Sequence, residues 1–192
     1  GGMIVMDEDT CIVDVARYYV DFLSDESCGK CVPCREGLRQ TLKTMNRICT
    51  GHGTEEDLRT LEEFSELLSE ASLCALGLTA ANPVSTSLAY FREEYEAHIR
   101  EKCCPAKVCH DLIAYYIQPE KCLACLICLR ECPVNVISGE KNIVHVIDQK
   151  KCIKCGMCFE VCPFDAVEKL SPAAPPVARY GIKAKRKGSE KA

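Results

Sequence analysis

The sequence holds eleven glycines in 192 residues, none arranged as Gly-x-Gly-x-x-Gly. It therefore offers no loop of the kind that cradles a dinucleotide pyrophosphate. No apolar run approaches the roughly 18 residues of a membrane-crossing helix. No basic-then-apolar leader opens the chain. With a formal net charge of −4, and a pI of about 5.7, nucleic acid is a poor general partner. Positive charge is concentrated after Pro176, where Arg179, Lys183, Lys185, Arg186, Lys187 and Lys191 face only Glu190. Such a tail could dock an acidic surface, but Pro-Ala-Ala-Pro-Pro at its start favours a flexible, solvated segment over 169–192.

Cysteine is what the chain has in excess: seventeen of 192 residues. A disulfide scaffold is the ordinary reading of that density in short secreted chains. Here the count is odd and Cys-x2-Cys recurs, which suits metal ligation in a reducing cytoplasm better.

Two runs are near-copies. Cys122-x2-Cys125-x2-Cys128-x3-Cys132-Pro133 is followed by Cys152-x2-Cys155-x2-Cys158-x3-Cys162-Pro163. This is the spacing of bacterial ferredoxins, in which three close thiolates hold one [4Fe-4S] cluster and the fourth serves its neighbour. The expected sets are Cys122, Cys125, Cys128 with Cys162, and Cys152, Cys155, Cys158 with Cys132. Residues 118–168 are thus expected to form a two-cluster ferredoxin-like domain, with Ile143–Ile147 as a strand. His145, inside that apolar run, reads as a strand residue rather than a ligand.

Upstream, apolar residues at helical spacing predict four amphipathic helices over 11–100. The first is capped by Asp9 or Thr10. The second starts near Pro33 and stops before Gly51, the third opens at Thr54, and the fourth runs from Asn82-Pro83 past Tyr95. Gly1 to Met6 read as a turn and short strand. Asp111–Ile117 reads as a strand or linker, within a linker over 101–117. The fold class expected is α+β: a small four-helix bundle followed by the ferredoxin-like domain.

A third cluster set lies in the bundle. Cys28, Cys31 and Cys34 recur at two-residue intervals, and Cys74 in the turn after the third helix supplies a fourth thiolate. Lys30 and Arg35 beside it would favour the reduced, more negative state. A four-cysteine zinc site would use the same ligands.

Ser27-Cys28-Gly29-Lys30-Cys31-x-Pro33-Cys34-Arg35-Glu36-Gly37, with Ser72-Leu73-Cys74, resembles the [4Fe-4S] domain of the NADH-binding flavin subunit of complex I. It equally resembles the diaphorase subunits of soluble NAD(P)-linked hydrogenases and formate dehydrogenases. The ferredoxin-like extension is similar to that of the diaphorase subunits of often electron-bifurcating [FeFe]-hydrogenases. Residues 1–10 are similar to the exit from a preceding ubiquitin-like domain. The resemblance implies a part of a longer NAD(P)H oxidoreductase subunit, with FMN and NAD(P) bound outside this segment. Its implied partners are other subunits of the complex, including a small [2Fe-2S] subunit, and ferredoxin. The chain would contain no catalytic acid, base or nucleophile. The other reading is a stand-alone ferredoxin-like carrier with a helical appendage.

Five cysteines remain. Cys104-x4-Cys109 has zinc-compatible spacing, and His98 and Cys49 end neighbouring helices, so Cys49, His98, Cys104 and Cys109 form a candidate zinc site. Cys103, His52 and His110 are rival ligands, and free, partly buried thiols are the alternative. Cys11 is expected to pack in the first helix.

Overall fold

The computed structural model describes residues 3–172 and Ala184. The chain divides between Leu112 and Ile113 into two units. The segment expected as a linker over 101–117 is therefore shared between them.

In the first unit, α1 (Ile12–Asp25) is capped by Cys11, whose sulfur accepts from Asp14 N. Neither Asp9 nor Thr10 takes that position. Val13, Ala16 and Val20 recur at three- and four-residue intervals and are buried. Gly29 turns the chain at φ +71, a conformation that costs glycine little. Cys31 then caps α2 (Val32–Cys49), with Pro33 in its first turn. α2 buries Leu38, Thr41, Met45 and Ile48 along one stripe. Beyond it Gly51 (φ +79) lies so close to Leu112 that a Cβ would sit 2.9 Å from Cδ2.

α3 (Glu55–Ala71) opens on a reciprocal cap. The Asp57 carboxylate accepts from Thr54 N at 2.7 Å and from its hydroxyl at 3.0 Å, and it pairs with Arg47 at 3.2 Å. A short α4 (Ala75–Thr79) begins directly after Cys74.

The fourth helix expected from the sequence is two helices, α5 (Asn82–Tyr90) and α6 (Arg92–Glu96), broken at Phe91 (φ −133, ψ 36). A π-turn over Ala97–Glu101 follows. The break lets Tyr95 turn fully inward, where its hydroxyl meets Ser87 Oγ at 2.6 Å. α1 packs on α2 and α5, α2 also on α3, and α3 on α5. Residues 3–7 form no strand.

The second unit has two small antiparallel ladders. β1 (Ala114–Ile117) pairs with β4 (Val167–Leu170), placing Ala114 opposite Leu170 and Ile117 opposite Val167. β2 (Ile137–Ser138) pairs with β3 (Val146–Ile147). The strand expected over 143–147 is regular only at its end. α7 (Ile127–Glu131) and α8 (Met157–Glu160) pack on each other.

The internal repeat is written into the backbone as well as the cysteines. Ala124, Leu126 and Asn135 adopt positive φ, and so do Lys154, Gly156 and Asp165, their counterparts in the second motif. Of the tail expected over 169–192, residues through Pro172 and Ala184 are described, and β4 occupies its first two positions. Its other residues lie outside the described ones.

Candidate metal centres

Two apolar cavities in the second unit gather the repeated cysteines crosswise. One is lined by Cys122, Cys125, Cys128 and Cys162. The other is lined by Cys132, Cys152, Cys155 and Cys158. Each thus holds three sulfurs of one motif and the last sulfur of its counterpart. The left-handed residues in each loop turn the chain around the sulfurs, and backbone groups point at them. Lys154 N lies 3.4 Å from Cys152 Sγ, and Ala166 N 3.4 Å from Cys162 Sγ.

Burial pushes the Cys128 thiol up to about 12, and the neighbouring sulfurs of Cys122 and Cys125 push the same way. Cys158 rises to about 11, again from burial first and then from Cys152 and Cys155. Sulfurs crowded in this way do not ionise together unaided. Cations placed among them reverse that balance, as at any thiolate-bound metal. The donor set and its dry surroundings fit iron–sulfur clusters.

His145 forms part of the first cavity's wall. It is 1% exposed, its Nδ1 lies 3.3 Å from Cys128 Sγ, and burial lowers its pKa.

The third expected set lies around the start of α2. Cys34 is buried in its first turn, Cys31 caps it and is half-buried, and Cys28 and Cys74 are exposed. Backbone N–H groups of Leu73 first, then of Cys34, hold the Cys31 thiol below its ordinary range. That contact brings the 72–74 turn to Cys31. Gly77 seals the approach: a Cβ there would lie 3.3 Å from Cys34 Cβ. Ser27 Oγ sits 3.3 Å from Cys34 Sγ. Arg35 donates to the Gly29 carbonyl at 2.7 Å and pairs with Glu36 at 3.0 Å, so it braces the ligand loop. The α2 N-terminus adds a favourable dipole for thiolates.

A fourth constellation in the first unit gathers three of the expected zinc ligands with Cys11 in place of Cys49. The buried donors of Cys11, His98, Cys104 and Cys109 all lie within 4.8 Å of one another. Cys49 falls instead in an overlapping group with Asp14 and Cys109. Cys11 is the residue before α1, and its sulfur accepts from Asp14 N at that end of the helix.

Cys11 Sγ is 3.7 Å from Cys109 Sγ. Two sulfurs at ~2.3 Å from a tetrahedral zinc ion stand about that far apart. His98 presents Nε2 to Cys109 at 3.3 Å, while its Nδ1–H donates to the Glu94 carbonyl at 2.7 Å. An outer hydrogen bond of this kind fixes the tautomer of a metal-binding imidazole. Val108 N and Cys109 N point at Cys104 Sγ. Burial works to lower the His98 pKa, but hydrogen bonds with Cys104 and Cys11 outweigh it and raise the ring to about 10. Cys104 is driven well below its ordinary range, chiefly by Cys109. Cys109 rises correspondingly, chiefly from Cys104. Three sulfurs and one imidazole crowded into one buried centre are a donor set that fits zinc.

The fold and these sulfur sets define an iron–sulfur protein built from two modules. Residues 14–98 match the NADH-ubiquinone oxidoreductase-F iron-sulfur binding region, and residues 115–169 match a 4Fe-4S dicluster domain. The first match falls within the helical unit and the second within the unit that carries the crossed cysteine loops.

The chain is 48% identical over 145 residues to the NADP-reducing hydrogenase subunit HndC of Solidesulfovibrio fructosivorans, covering 76% of this chain and 30% of that protein. It is 44% identical over 104 residues to an F-type subunit of NADH-quinone oxidoreductase from Rhizobium meliloti, covering 54% of this chain and 25% of the relative. Among solved structures, an NAD+-reducing [NiFe]-hydrogenase in the H2-reduced state is 35% identical, with a TM-score of 0.49 over 57% of this chain and 18% of that one. The chain therefore spans less than a third of the length of these proteins. No helix among the described residues is long and apolar enough to cross a membrane.

Sequence reasoning placed neither Cys11 nor His145 beside these sulfurs. Cys11 carried a signal in its place before the first apolar-periodic residue, where a cap belongs. His145 carried only its polarity within an apolar run.

Proposed function

We propose that this chain is the electron-transfer module of a flavin-dependent NAD(P)H oxidoreductase of the soluble-hydrogenase or electron-bifurcating kind. Three [4Fe-4S] clusters belong to it: one on Cys28, Cys31, Cys34 and Cys74, one on Cys122, Cys125, Cys128 and Cys162, and one on Cys132, Cys152, Cys155 and Cys158. When bound, such clusters pass single electrons. FMN and NAD(P) chemistry belongs to parts of the subunit outside this chain. The module's partners are other subunits, a small [2Fe-2S] one among them, and a low-potential acceptor or donor such as ferredoxin. The protein's own part is to hold the sulfurs, point N–H groups at them and exclude water. The two helical-unit turns and the two crossed loops serve that holding role. A zinc ion on Cys11, His98, Cys104 and Cys109 serves structure, tying the start of α1 to the 104–109 loop.

The crossed lining of the two cavities is the observation that carries this reading. Separate motifs with independent roles would have no reason to exchange their last cysteines. Anaerobic iron and acid-labile sulfide analysis tests it, with about twelve irons expected per chain. A repeatable value near eight would remove the Cys28/Cys31/Cys34/Cys74 cluster, and a colourless, iron-free protein would end the reading.

A further inference from the structure

The two ferredoxin-type motifs are nearly the same in sequence, yet a histidine lines one cavity and a tyrosine, Tyr115, the other. His145 lines the cavity of Cys122, Cys125, Cys128 and Cys162. The lining of the other contains no imidazole. His145 is fully buried, with Nδ1 at 3.3 Å from Cys128 Sγ. Its Nε2 is buried with no hydrogen-bond partner. An unpaired polar atom in a dry interior is costly, so a leucine would suit this position better if packing were the whole of its role. The ring is also held in place. Gly139 faces it so closely that a Cβ would come 2.2 Å from His145 Cδ2.

We infer that His145 is a tuning residue that raises the reduction potential of the Cys122/Cys125/Cys128/Cys162 cluster. The inference rests on the cluster assignment proposed above. A cluster-bound thiolate has no proton and can only accept, so the hydrogen of the contact sits on Nδ1. Hydrogen bonds to a charged acceptor are stronger than neutral ones, and they strengthen as negative charge grows. Reduction adds one electron, supplied by an external one-electron donor, and no proton moves. The Nδ1–H group therefore favours the reduced state, one of the means by which proteins set iron–sulfur potentials.

The test uses the full chain with clusters assembled anaerobically, poised with dithionite and read by paramagnetic resonance. Iron content is measured on every sample. His145→Leu removes the donor, while His145→Asn keeps an N–H close to the Nδ1 position. The Leu variant should lower one ferredoxin-type midpoint by a factor of about ten in the reduction equilibrium, 59 mV for one electron. The second midpoint should stay put, and Asn should restore most of the loss. Unchanged midpoints in a Leu variant with full iron would overturn the inference. Should Leu lose iron, Gly139→Ala is read in the same way, because its methyl drives the ring from Cys128. Loss of that cluster in both Leu and Ala variants, with unshifted potentials in Asn, would assign His145 a structural role and overturn tuning. Wild-type protein without ferredoxin-type iron would instead sink the cluster assignment itself.

Discussion

Cys11 Sγ and His98 Nε2 lie 3.4 Å apart, although 87 residues separate them in the chain. The cap of α1 and the π-turn after α6 meet at this point, and Cys104 and Cys109 close around it. The contact makes the first unit's two ends a single structure.

Zinc analysis should therefore find one zinc per chain beyond the iron. Cys11→Ser and Cys104→Ser should each remove it and leave the iron count nearly intact, while Cys49→Ser should retain it. Zinc lost with Cys49 and kept without Cys11 would restore the ligand set expected from the sequence. Chelation should lower the unfolding midpoint of the first unit, since ligand binding to the folded state stabilises it.

Crossing of ligands predicts a mismatch between mutation and effect. Cys132 ends the first motif but lines the second cavity. Cys132→Ala should disturb the signal of the Cys152/Cys155/Cys158 cluster more than that of the Cys122/Cys125/Cys128 cluster. Single-mutant paramagnetic resonance decides, and the reverse pattern would make each motif self-contained.

Gly77→Ala should dismantle the helical-unit cluster. Its added methyl would lie 2.5 Å from Ser72 Cβ and 3.3 Å from Cys34 Cβ, so the turn carrying Cys74 has to withdraw. About four irons should be lost per chain, with both ferredoxin-type signals kept. Full iron in this variant would place Cys74 outside the site.

Asp57→Ala should cost about 1–2 kcal/mol of stability, the usual loss on removing a cap, with the Arg47 pairing adding little because Arg47 is half exposed. Denaturant unfolding of the loaded protein measures it. Iron content should not change, because Asp57 lies in none of the sulfur sets.

In a subunit that also carries the flavin part, deletion of residues 118–192 should spare NAD(P)H oxidation with an artificial dye. Exchange with a low-potential partner should fall sharply. An undiminished rate would make the ferredoxin-type domain an appendage.

The three long helices were legible because their apolar residues recur at helical spacing, and Pro33 and Thr54 mark the starts of the second and third. The break at Phe91 was not, since Leu88, Phe91 and Tyr95 continue the same period and hide the change of direction. Two-residue strands such as β2 and β3 have no periodicity to read. The cysteine sets were legible for a different reason: cluster geometry fixes ligand spacing along the chain. Cys11 was hidden because its partners are distant in sequence and cysteine also passes for a small apolar residue. His145 was hidden because nothing in a strand pattern says which sulfur its ring will meet.

Each proposed cluster set keeps at least one cysteine at the surface: Cys28 and Cys74 in the first, Cys125 and Cys155 in the other two. An electron tunnels best where the protein wall is thinnest, so these edges are the natural doorways for redox traffic. The same doorways admit dioxygen. Oxidative damage should accordingly begin at these four sulfurs and climb from sulfenic toward irreversible acids, leaving buried Cys34, Cys128 and Cys158 for last. Conductivity and fragility in air are then one property of the chain, set by how little backbone covers its outermost thiolates.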